Sequence, residues 1–153
     1  MDAWRQGRAT IDQLLETGLL ERVPADLAAS RSLVERARVH LRSAATLADQ
    51  DVELAYDALH TANRKALAAV LLAEGLRPTR EGGHIALHEA VRAQLDPPLG
   101  RVLAPYTRIR RVRNAGAYRD EFPHVAEDVR QDLPLSRALV DACAAVLGQM
   151  PVY

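Results

Sequence analysis

The chain has 153 residues, enough for one domain with its own core and no need of metal or disulfide staples. Its 20 basic and 20 acidic residues cancel, which excludes a protein wrapped in nucleic acid over its whole surface. A lone cysteine, Cys143, excludes a disulfide framework and a cysteine-based zinc site within one chain; no run approaches the ~20 apolar residues of a membrane helix, and MDAWRQGRAT lacks a signal-peptide apolar region, so a cytoplasmic location with no membrane contact is expected. Hydrophobic residues make up 48% but aromatics only 4%. Ala and Leu, both strong helix formers, dominate, and alternating Val/Ile runs are missing. The expected class is all-α, an antiparallel bundle of four to five helices in one domain over residues 1–153.

Residues 1–24 read as an N-terminal helical extension. Ile11, Leu14 and Leu15 give Thr10 to Glu16 one apolar side, and Gly18 suits a helix C-cap. The first long helix is expected from Ser32 to Ala48, opened by Ser32-Leu33-Val34-Glu35 as a capping box and carrying the stripe Leu33, Ala37, Leu41, Ala44 and Ala48. After the short linker Asp49-Gln50-Asp51, a second helix from Val52 to Glu74 is lined by alanines and stopped by Gly75 and Pro78. A third runs from His84 to Leu95 and breaks at Asp96-Pro97-Pro98. A fourth, Leu99 to Arg119, breaks at Phe122-Pro123. The last covers Val125 to Leu147, with Pro134 expected to kink or restart it.

The fourth helix carries most of the chemistry. Arg101, Arg108, Arg110, Arg111, Arg113 and Arg119 fall in one segment with no acidic residue before Asp120. At 3.6 residues per turn, Ile109, Val112 and Gly116 group on one side. Arg110, Arg111, Asn114 and Tyr118 group on the other, with Arg113 and Ala117 at the boundary. Guanidinium, carboxamide and phenol groups suit phosphate and sugar oxygens, and a ring can stack on a base. The competing reading is a solvated Arg face balanced by Asp and Glu of neighbouring helices. Among weaker signals, His84 and His88 share a helix face but lack a third metal ligand. His40 and His60 read as solvent-facing or boundary residues, and Tyr56, Tyr106 and Cys143 as packing residues.

The order of these features resembles the HEPN family. YDALHTANRKALAAVLLAEGLRP supplies an Ala-rich second helix, GGHIALHEAV a Gly-Gly-His start to the third, RRVRNAGAYRD the Arg-rich helix and VAEDVRQDLPLSRALVDACAAVL the closing helix. The similarity runs from about Ser30 to Leu147, so the bundle proper is taken as residues 30–148. The resemblance implies a homodimer, no cofactor and, in catalytic members, metal-independent cleavage of RNA by an Arg and a His four to six residues later. There the Arg would stabilise phosphate charge and the His would move the proton of the ribose 2′-hydroxyl. Here Arg113 and Asn114 match the start of the motif, but the His position holds Tyr118, a phenol that titrates near pH 10. Arg119 and His124 offer the same spacing across Phe122-Pro123, which would break the required helix.

The expectation is therefore an RNA- or nucleotide-binding or regulatory module. Arg110, Arg111, Arg113, Asn114 and Tyr118 form its contact face, and Arg113 and Tyr118 are the residues to test for catalysis. The alternatives are a ribonuclease toxin of a toxin–antitoxin pair, whose partner by resemblance would be a nucleotidyltransferase, and a structural adaptor without nucleic acid.

Overall fold

A computed structural model describes residues 4–118 and 121–153, with only the backbone of Ala117 and Tyr118. Its elements in chain order are α1 (Arg8–Glu16), β1 (Leu20–Arg22), α2 (Leu27–Leu47), α3 (Val52–Glu74), β2 (Leu76–Pro78), α4 (Gly83–Leu95), α5 (Gly100–Leu103), α6 (Pro105–Tyr118) and α7 (Ala126–Val146). The class is all-α, as expected, and the helices form a bundle.

α3 is its axis. It packs on α2 along most of its length and also touches α4, α6 and α7. The sequence explains why one helix can serve four neighbours. Ala55, Ala62, Ala66 and Ala69 are fully buried, so adjacent backbones approach closely, while Leu59, Leu67 and Leu71 fill the space between them. Asp51 caps the helix by accepting the Leu54 N–H at 3.0 Å. Gly75 ends it at φ 80°, a left-handed conformation that costs glycine nothing.

α2 begins at Leu27 rather than Ser32. Asp26, extended after Pro24, accepts the Ala29 N–H at 2.9 Å and so performs the capping expected of Ser32, which lies inside the helix. The expected fourth helix is two. α5 ends at Leu103 with Ala104 as its C-cap, and Pro105 restarts the chain as the first residue of α6, where a missing N–H breaks no bond. α7 runs through Pro134 without a restart, because Pro134 is exposed and the hydrogen bond it removes lies toward water.

A two-stranded antiparallel ribbon went unforeseen. β1 and β2 pair Leu20 with Pro78, Glu21 with Arg77 and Arg22 with Leu76. Three residues per strand carry no readable alternation. The ribbon forms because Gly75 turns the chain out of α3 beside the segment leaving α1. Gly82 allows the return: a Cβ there would lie 2.1 Å from the Leu19 carbonyl oxygen. Among the described residues no helix is long and apolar enough to cross a membrane.

Candidate phosphate-binding site

α6 is anchored by Tyr106, Ile109 and Val112, all buried. With that side fixed, its arginines leave in different directions. Arg108 turns to α7 and pairs with Asp132. Arg113 turns to α3, where its Nε donates to Asp57 Oδ1 at 3.1 Å, and its Nη1 donates to Asn114 Oδ1 at 3.3 Å. Arg110 points into a cleft of about 530 Å3 between α4 and α6, shared with His84, His88, Glu89, Tyr106 and Thr107. Arg111 is exposed. Among the described residues neither Arg110 nor Arg111 has an ion-pair partner. The Tyr118 side chain and Arg119 lie outside the described residues.

Arg108 and Arg113 are thus balanced by carboxylates of neighbouring helices. The Arg113–Asp57 pair is about half exposed on both sides, so it holds the guanidinium by no more than about 1 kcal/mol.

Beneath Arg110 lies a stack of rings. His88 is 5.0 Å from Tyr106 at 25°, and His60 is 5.7 Å from the same ring at 33°. His60 is buried, contrary to the boundary position expected of it. A helical spacing does join Tyr56, His60, Asn63 and Leu67, and that signal was available in the sequence. Tyr106 packs as expected, yet its hydroxyl, His60 Nδ1, His88 Nε2 and the Asn63 amide find no hydrogen-bond partner among the described residues. Unsatisfied groups of this kind are scarce in folded proteins, and several in one cluster point to a ligand or ordered water.

Burial lowers the His60 pKa to about 4, helped by the positive charges of Arg113, Arg64 and Arg110. Burial also lowers His84, with Arg110 adding to it, and lowers His88 against a backbone hydrogen bond to Leu103. It raises the Tyr106 hydroxyl. At neutral pH the cleft therefore sets two guanidinium groups, Arg110 and Arg92, and the carboxyl groups of Glu89 and Asp96 beside neutral imidazole and phenol groups, with Arg92 3.5 Å from Asp96 and Arg110 outside any ion pair among the described residues. A guanidinium without a carboxylate partner, next to neutral hydrogen-bonding groups, is chemically suited to phosphate.

No family model, curated protein or solved structure matches the chain.

Among the described residues no three metal-ligating side chains converge, and His84 and His88 gain no third ligand. His124 stands outside any helix, 3.4 Å from Asp128 through Nδ1 and against the rings of Tyr56 and Phe122. The helix needed for an Arg119–His124 register therefore stops short of the histidine. His40 is partnered after all: Lys65 Nζ lies 2.6 Å from its Nε2.

Proposed function

We propose that the chain is a HEPN-like bundle that binds RNA or a nucleotide through the face shared by α3, α4 and α6. The observation that carries this reading is Arg110, unpaired among the described residues, in a cleft above a buried and unpartnered Tyr106 hydroxyl. Arg113 and Asn114 extend the face toward α3, and Arg111 lies on its exposed side.

Binding is favoured over cleavage by the chemistry of His60. The charges of Arg113 and Arg110 act on it, which makes it the histidine to consider where the Arg-rich helix holds none. A base with a pKa of about 4, however, is poorly matched to proton transfer at neutral pH.

Fluorescence anisotropy with a labelled single-stranded RNA tests the reading. Arg110→Ala is expected to weaken binding by about 10- to 100-fold, the size of one charge-assisted hydrogen bond. Tyr106→Phe is expected to weaken it several-fold while leaving thermal stability unchanged or slightly higher, since it deletes a buried hydroxyl with no protein partner among the described residues. RNA is expected to survive intact in EDTA on a denaturing gel. Unchanged affinity in Arg110→Ala would sink the proposal.

A further inference from the structure

A second concentration of positive groups lies on α2 and α3. Lys65 Nζ sits 2.6 Å from His40 Nε2, so the chain's one lysine is packed against another base rather than against an acid. Arg36 is one turn before His40 on α2, and Arg64 is next to Lys65 on α3. Arg36 and Arg64 are both exposed. Their charges, with burial as the larger cause, lower the pKa values of His40 and Lys65 alike.

Nearby carboxylates are already engaged: Glu35 binds Arg38, and Asp57 binds Arg113. Among the described residues none of Arg36, Arg64 and Lys65 takes part in an ion pair. In a chain of zero net charge, composition does not force such a gathering. Like charges held together cost free energy, and an anion placed between them relieves it.

Arg64 lies between this cluster and the ring stack along α3, next to Lys65 and one turn after His60. His60 and Arg64 are one turn apart on the same face of α3, about 5–6 Å along its axis. A lone nucleotide held at Arg110 would leave the α2–α3 cluster unused. A flexible strand with a charge at every residue would use both.

We propose that Arg36, His40, Arg64 and Lys65 form a second phosphate site continuous with the α4–α6 cleft, so that successive phosphates of a single nucleic-acid strand lie across α2, α3 and α6. This rests on the cleft being a phosphate site. It replaces "RNA or a nucleotide" with a strand of several nucleotides.

The test is an anisotropy titration of labelled rU4, rU12 and dT12 against the wild type, Arg110→Ala and the double variant Arg64→Gln/Lys65→Gln. The double variant changes one exposed and one half-exposed side chain, and circular dichroism checks that it folds. It is expected to bind rU12 about tenfold more weakly and to leave rU4 unchanged. Its log–log salt slope for rU12 is expected to be shallower by about 1.4, because two phosphates of a single strand are no longer neutralised. Comparing dT12 with rU12 identifies which kind of strand supplies the phosphates. Wild-type affinity of the double variant for rU12, with rU4 still weakened by Arg110→Ala, overturns the second site and leaves the cleft standing. Failure of every oligonucleotide to bind the wild type overturns both.

Discussion

Asp132→Ala is expected to lower the unfolding free energy by about 2–4 kcal/mol, with an unchanged slope against urea. Asp132 lies on α7 with its side chain 6% exposed. It accepts the Tyr56 hydroxyl at 2.6 Å, accepts Arg108 Nη1 at 2.9 Å and makes a second, shorter contact with Arg108 Nη2. Three helices, α3, α6 and α7, meet on one carboxylate. The two partners would suffer unequally from its removal. Arg108 is half exposed and would be resolvated by water. Tyr56 is 1% exposed, and its hydroxyl would stay buried without an acceptor. Burial and the Asp132 contact already hold its pKa well above the ordinary phenol value. Arg108→Met leaves the Asp132 carboxylate, 6% exposed, without its cation, and is expected to cost several kcal/mol in the same urea titration as well. A cost near zero for Arg108→Met would mean that the buried phenol, not the ion pair, dominates the site.

Glu74→Gln is expected to raise stability at pH 8 by an amount on the order of 3 kcal/mol and to change little at pH 4.5. Glu74 closes α3 and is 1% exposed; its Oε1 accepts Gln94 Nε2 at 2.6 Å, while Oε2 has no partner among the described residues. Burial pushes its pKa from 4.5 to about 7, although the Gln94 hydrogen bond pulls the other way. A carboxyl raised in the folded state holds its proton there while the unfolded chain releases it. Its contribution is whole below pH 4.5 and is lost as pH rises through about 7. Glutamine keeps the acceptor for Gln94 and never ionises, so it removes the loss. His60 works in the opposite sense: lowered from 6.5 to about 4, it contributes fully above pH 6.5 and less as pH falls toward 4. Between pH 4.5 and 6.5 the two slopes oppose each other in the wild type. Urea midpoints at pH 4.5, 6 and 8 should show a steeper rise with pH in the variant, because the histidines are then unopposed. Parallel wild-type and variant curves would show that Glu74 does not titrate in this range.

The helices were legible in the sequence because their signals are local. The α3 span Val52–Glu74 follows from the alanine period and the Gly75 stop, which act within a turn or two of chain. The start of α2 was misread because Ser32 and Asp26 are both good caps, and only the path of the chain from the ribbon decides which one is used. The positions of Arg110, Arg111, Arg113 and Asn114 on α6 were likewise legible as a helical face. Their partners were not. Asp57 and Asp132 lie on α3 and α7, and choosing between an ion pair and an open cleft depends on which carboxylate is brought within reach. The same holds for His60, Tyr106 and the Lys65–His40 contact, each a meeting of two helices. Sequence by itself determined the all-α class, the main helices and an Arg-rich face. Tertiary structure alone decided which arginines are neutralised, which polar groups are buried without partners and where bases accumulate, because burial and Coulomb energy depend on distance in space and not along the chain.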